Sequence, residues 1–221
     1  MSMIRICFLG LAAHIAVSVS AVAQSTRAMG PQVPALMDRQ KESTLALSAC
    51  PPFVATKAAV YLLNNSGYVK VRDSQNGFTA IVQHSLPNSQ EPQCMDAEGT
   101  RAFLPRVLKV AELRAQGKSR EETRRFLDDA FAKGIIPAPT RPGVIYMLST
   151  ENLVPDDRGV VGPFPPHVMF YGTHLTNADL GSDGSQGGPA FVVNESSPHA
   201  LVIVPVAAHT QPGDKRSANS Q

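Results

Sequence analysis

Several kinds of site chemistry have no counterpart in this chain. It holds only three cysteines, Cys7, Cys50 and Cys94, and no two form a Cys-x-x-Cys pair. That excludes a zinc ribbon and a thioredoxin-like redox motif. Neither His-x-x-x-His nor His-Glu-x-x-His occurs, so a helical zinc site of the metalloprotease kind is absent. The Gly-x-Ser-x-Gly nucleophile elbow is missing too, and Gly181-Ser182-Asp183-Gly184-Ser185 does not match it. Gly184-Ser185-Gln186-Gly187-Gly188 is rich in glycine, but no lysine follows at the needed place and no helix is expected after it, so it is no phosphate cradle. Charge of either sign has no surplus: 20 Lys+Arg face 18 Asp+Glu, a net +2. Nothing in that balance draws the chain to nucleic acid or to an anionic membrane.

Long apolar runs are also scarce. The longest stretch, Ile6 to about Val19, is broken by His14 and Ser18 and is too short for a spanning helix. With Arg5 before it and Ala21-Val22-Ala23 after it, it reads as a secretory signal cleaved between Ala23 and Gln24. A lipid anchor needs a cysteine at the cleavage point, and Cys7 lies too early and Cys50 too late. Removing residues 1–23 leaves 198 of the 221, with 19 Lys+Arg against 18 Asp+Glu. The expected location is periplasmic or secreted, with no stable membrane insertion once the signal is gone. In an oxidising compartment Cys50 and Cys94 are expected to form a disulfide, the alternative being two separate buried thiols.

What remains is enough for one α+β domain over residues 34–207. Residues 24–33 read as a flexible lead-in and 208–221 as a disordered polar tail. The spacing predicts a helix from about Pro34 to Ala49, stopped by Pro51-Pro52. Three strands follow as a meander: Ala59–Leu63, Tyr68–Arg72 and Phe78–Val82, with turn clusters at Asn64–Gly67 and Asp73–Gly77. Residues 85–97 read as a polar loop. A helix over Thr100–Gln116 and a second opened by Ser119-Arg120-Glu121-Glu122, a capping-box pattern, predict a helical hairpin. Gly143–Ser149 is a continuous apolar strand, residues 152–166 a loop, and Val168–Tyr171, Phe191–Val193 and Leu201–Val204 complete the sheet. Strands before and after a helical pair predict a mainly antiparallel sheet with about three helices.

The stretch Pro165–Gly181 crowds the most chemistry into the least chain. His167, His174 and Asp179 are legitimate metal ligands. An unbroken strand would put the two histidines on opposite faces, so a shared site needs a bend at Gly172 or Thr173. Ser149 with His167 or His174 and Asp179 would supply nucleophile, base and orienting acid. A non-covalent pocket is the third reading, with Tyr146 and Tyr171 as aromatic walls and Glu151 and Asn177 as polar orienters. The bland account makes the aromatics core and the histidines strand-end caps.

Asn76-Gly77-Phe78-Thr79, Tyr146-Met147-Leu148-Ser149-Thr150-Glu151-Asn152, His167-Val168-Met169-Phe170-Tyr171 and Thr176-Asn177-Ala178-Asp179-Leu180-Gly181 carry a resemblance. Through them the chain, from about Pro34 to Val206, resembles a group of uncharacterised exported bacterial proteins of unknown function. The resemblance implies a bacterial exported protein and transfers no activity, cofactor or catalytic residue. Two functions stay open. One is an exported soluble module that binds a small ligand or partner without catalysis. The other is a small periplasmic hydrolase or metal-dependent enzyme using residues 167–181.

Overall fold

The computed structural model describes residues 33–156, 158–185 and 188–206. The expected leader, nearly all of the lead-in and the tail 208–221 lie outside the described residues. Ten strands and five helices follow one another. They are α1 (Arg39–Ser48), α2 (Pro52–Ala55), β1 (Ala59–Asn64), β2 (Gly67–Arg72), β3 (Thr79–Gln83) and β4 (Glu91–Met95). Next come α3 (Ala97–Ala102), α4 (Leu104–Ala115), α5 (Arg120–Ala132), β5 (Val144–Met147), β6 (Leu153–Pro155) and β7 (Val161–Pro163). The described residues end with β8 (His167–Tyr171), β9 (Phe191–Val193) and β10 (Leu201–Pro205).

Eight strands form one sheet in the order β2-β1-β3-β4-β5-β8-β10-β9. Every neighbouring pair is antiparallel except β1 and β3, which run parallel. The architecture is α+β with a mainly antiparallel sheet. The meander expected at its start is not the observed order: β1 sits between β2 and β3, so β2 is an edge strand. Its Val69 and Val71 are exposed accordingly.

The larger departure is β4. Residues 85–97 read as a loop because Pro87, Pro92, Glu91 and Gln93 all disfavour a central strand. Yet all five residues of β4 are buried, between β3 and β5. β3 pairs with β4 along its whole length, but β5 pairs only with Cys94 and Met95. Pro92 therefore lies where β5 has no residue beside it, and its missing N–H breaks no ladder there. The loop expected at 152–166 contains the short β6–β7 hairpin.

The helices differ from expectation at their ends. α1 starts at Arg39, where the Asp38 carboxylate caps it by accepting the Lys41 N–H at 3.0 Å. The helix expected from Thr100 is two helices meeting at Phe103. Pro105 explains the break, because it has no N–H to continue the earlier helix and fits the first turn of a new one. α5 begins with the expected box: Ser119 Oγ accepts from Glu122 N, and the Glu122 carboxylate accepts from Ser119 N.

Side-chain alternation gives the sheet two different faces. Ala80, Val82, Cys94 and Tyr146 point to the side covered by α1 and α2. Ile81, Met95, Ile145, Met147, Met169, Leu201 and Ile203 point to the other, where Phe103, Leu104 and Val107 meet them. Cys50 and Cys94 form a disulfide with Cα atoms 5.1 Å apart, tying the end of α1 to β4. On the same side lies a buried acid. Glu42 on α1 accepts the Leu63 N–H at 2.8 Å through Oε1, while Oε2 has no partner among the described residues. Burial raises its pKa, against the hydrogen bond from Leu63 and the charge of Arg39.

Two measurements follow. The bridge closes a separation of 44 residues. Replacing both cysteines by alanine should cost about 3–4 kcal/mol in urea unfolding by loop-closure entropy. For Glu42 the folded pKa lies above the unfolded value of about 4.3, so its contribution is complete below that pH and is lost as pH rises through the folded value. Glu42→Gln keeps the acceptor and abolishes the titration. Its urea midpoint should gain on that of the parent as pH rises above about 4. A constant gap between the two would show that Glu42 does not titrate abnormally.

Candidate functional site

On the face away from the disulfide the helices do not cover the whole sheet. The C-terminal half of α4 lies against β2, where the Glu112 backbone approaches Gly67. A cavity of about 930 Å3 remains over the centre of the sheet, walled by α4, α5, the β6–β7 hairpin and the segment 194–199. A second depression of about 710 Å3 adjoins it between α4, α5 and residues 83–86. Gln83, Ser85, Arg106, Val107, Arg124 and Leu127 line both, so the two spaces are lobes of one site.

The floor of the larger lobe is apolar: Ile145 and Met147 from β5, Met169 from β8, Leu201 and Ile203 from β10. Phe164 and Phe191 stand at one side, their rings 6.4 Å apart and nearly perpendicular. The polar exceptions come from β4, whose alternation sends Glu91 and Gln93 to this face and Cys94 to the other. Glu91 is 5% exposed and fully bonded. It accepts from Ser85 N at 2.9 Å, Ser85 Oγ at 2.8 Å, Ser89 Oγ at 2.6 Å and Gln83 Nε2 at 3.1 Å. Gln93 is 7% exposed, and its side-chain amide makes no hydrogen bond among the described residues.

Arg106 enters the site from α4, and among the described residues no carboxylate or other acceptor meets its guanidinium. Arg120, which is exposed and lines the smaller lobe, likewise meets no acceptor among the described residues. Arg114 donates to the His84 and Ser85 carbonyls. Arg124 pairs with Glu121 at 2.8 Å and Asp128 at 3.1 Å. By area Arg106 is exposed, because the space it enters is open. Protein atoms still surround it closely enough that desolvation lowers its pKa, with the Glu91 charge opposing.

His167 reaches the same cavity. It is 2% exposed, and its Nδ1 lies 2.8 Å from the Pro165 carbonyl. A carbonyl only accepts, so Nδ1 carries the proton and Nε2 presents a lone pair. Burial lowers the His167 pKa, against that hydrogen bond, and favours the neutral ring. Phe164 packs edge-on against it at 4.9 Å.

The other residues singled out in the sequence do not join His167. β8 separates it from His174, which lies past the far end of the strand, exposed, with Nδ1 3.0 Å from the Ser196 carbonyl. Asp179 is exposed and accepts from Thr176 N and Oγ1, closing the turn before a short 3-10 helix. No group of three or more His, Cys, Asp or Glu residues that could hold a metal ion occurs among the described residues. Ser149 is buried, at the same end of the sheet as His167, but its Oγ accepts the Glu151 N–H and makes no bond to an imidazole.

The expected pocket residues are spent on structure. Tyr146 faces the disulfide side, stacked 6.3 Å from Phe78. Tyr171 donates to Asp96 at 2.6 Å and packs on Phe103. Glu151 is exposed, its carbonyl accepting from Gln90. Asn177 brackets β9, donating to the Val192 carbonyl and accepting from its N–H. Met147 and Met169 on the expected strands and the candidate His167 do reach the cavity, whereas Arg106, Gln93 and Phe164 were not singled out. One signal for Arg106 was present: a cation on the stripe Phe103, Val107 and Val110, which otherwise reads as apolar.

Arg106 has no partner among the described residues and is exposed by area, so water solvates it. Arg106→Met should therefore leave the free energy of urea unfolding within about 0.5 kcal/mol of the parent's. A larger fall would mean that the guanidinium holds the structure together. Compared with protein-family models, curated proteins and solved structures, the chain has no match among them.

Proposed function

We propose that this chain is an exported binding module that holds a small, mostly apolar molecule in the cavity between the sheet and α4–α5, without catalysis. The observation that carries the reading is the apolar floor of Met147, Met169, Leu201 and Ile203 beside about 930 Å3 of space. Natural ligand sites span roughly 300–1,000 Å3 and are mostly apolar with a few placed polar groups. A guest that places an apolar body in this space gains roughly 25 cal/mol for each Å2 of apolar surface that leaves water. Export is supported by the leader-like residues 1–23 and by the Cys50–Cys94 bridge, which suits an oxidising compartment.

The absence of catalysis rests on how the candidate groups are used. Ser149 Oγ bonds to backbone, His167 Nδ1 bonds to backbone, and Asp179 closes a distant turn. No nucleophile and base share a hydrogen bond there. A hydrolase or metal enzyme has no assembled set of groups in its favour.

The test uses a neutral environment-sensitive dye, Nile red. It should brighten with the parent protein. Ile203→Trp, which builds an indole into the floor, should weaken dye binding by about tenfold or more, since the ring takes space and apolar contact area that the dye would use. Val71→Thr, on the exposed edge of β2, should leave it unchanged. Dye binding indifferent to Ile203→Trp would place the guest elsewhere and remove the reading.

A further inference from the structure

His167 is buried, and one of its ring nitrogens has no partner among the described residues. Nδ1 donates to the Pro165 carbonyl at 2.8 Å, which leaves Nε2 with an unused lone pair. Histidines that hold metal ions are built in this way. The ring nitrogen away from the ion donates to a carbonyl or carboxylate, which fixes the tautomer and the orientation of the ring.

The sheet sets two thioethers beside that imidazole. Met147 is the residue paired with His167 across β5 and β8, and Met169 lies two residues further along β8, opposite Ile145. All three side chains line the cavity, and they are 2%, 3% and 5% exposed for His167, Met147 and Met169. Directly paired residues have Cβ atoms about 4.5–5.5 Å apart, and diagonal neighbours about 7–8 Å. Residues two apart on one strand are about 7 Å apart. An imidazole and two long, pliable methionines span a triangle of that size and can meet at one point inside it.

The chemistry of the set selects the ion. Nitrogen, thiolate and carboxylate groups nowhere gather in threes among the described residues. Glu91, the acid on this face of the sheet, already accepts from four donors, and Cys50 and Cys94 are bridged on the other face. One imidazole and two thioethers therefore carry no charge between them. A divalent ion would bring two uncompensated charges into a buried space, and a monovalent ion brings one. Zinc is held by thiolate, imidazole and carboxylate, of which only the imidazole is present. Thioether sulfur is soft and favours copper(I).

We infer that His167, Met147 and Met169 form a three-coordinate site for copper(I), with the imidazole Nε2 and the two thioether sulfurs as ligands. The ion enters from the cavity that all three residues line. Phe164, edge-on to the imidazole at 4.9 Å, and the neighbouring Ile145 and Ile203 give the site an apolar shell that disfavours the doubly charged oxidised ion. The site goes beyond the apolar-guest reading and does not rest on it, although Met147 and Met169 belong to the same floor.

The experiment uses the full chain with Cys7→Ser, which removes the thiol outside the Cys50–Cys94 bridge. Copper(I), kept reduced by ascorbate under nitrogen, is shared between the protein and the weak chromogenic chelator ferrozine. The parent should take one copper(I) per chain, and X-ray absorption of that complex should show sulfur bound to the metal. Zinc(II) at the same concentration should not be retained. Met147→Leu with Met169→Leu keeps the apolar volume. It should weaken copper binding by more than the tenfold to hundredfold that loss of an outer-shell partner costs, and leave Nile red binding near the parent's. Met37→Leu, on the disulfide side of the sheet, should leave copper binding unchanged.

A parent protein that leaves the copper with ferrozine overturns the inference, and so does a copper complex without sulfur; neither result needs a variant to fold. Zinc retained as tightly as copper overturns it too, as does a double methionine variant that binds copper like the parent. In each of these cases the apolar-guest reading stands if Nile red still responds to Ile203→Trp. Copper bound as expected, with Nile red indifferent to Ile203→Trp, keeps the metal site and removes the guest.

Discussion

The placement of β4 between β3 and β5 decides the character of both faces of the sheet. A strand sends alternate side chains to opposite sides, so one five-residue segment serves two purposes. Cys94 goes to the side of α1 and carries the bridge to Cys50. Glu91 and Gln93 go to the other side and put polar atoms into an otherwise apolar floor. A shift of one residue along β3 would exchange those roles, placing the sulfur in the cavity and the carboxylate against Leu45 and Ala46. The disulfide therefore sets register as well as stability, because it is only long enough to span one alignment.

The two sides of the sheet also differ in how completely they are closed. The side covered by α1 and α2 is packed with small residues, Ala46, Ala49, Ala58 and Ala80, all fully buried. Small side chains let the backbones approach, and little space is left. On the other side the residues are long and pliable, Met147 and Met169 among them. Methionine adapts its shape to what it touches, which suits a surface that meets more than one outline. The same chain thus builds a rigid back and an adaptable front.

Local signals in the sequence were read well where the structure is local. The Ser119–Glu122 box opens α5, and the apolar runs at 144–147, 168–171 and 201–204 became neighbouring strands. Non-local facts were hidden. Nothing near Pro92 announces that β3 and β5 close around it. The cavity is assembled from β5, β8 and β10, which are separated by long stretches of chain and meet only in the sheet. The Pro165–Gly181 stretch looked chemical because histidines and acids are crowded there. The geometry divides it: His167 turns into the cavity, while Asp179 and Asn177 spend their side chains closing turns. Short polar residues do this readily, so density of functional groups in sequence is a weak guide to their use.

Gly143 and Gly99 face each other across Tyr171 and Asp96, and a methyl group at either would collide with the Tyr171 ring or hydroxyl. The Asp96 carboxylate caps α3 through Gly99 N, receives the Val144 N–H at the start of β5, and accepts the Tyr171 hydroxyl from β8. Three elements distant in sequence thus share one carboxyl group. The start of α3, which leads directly into α4, is fastened to the sheet at this point. Asp96 is in this sense a rivet: helix and sheet are fastened through one side chain, and its geometry fixes where β5 begins and β8 ends relative to α3.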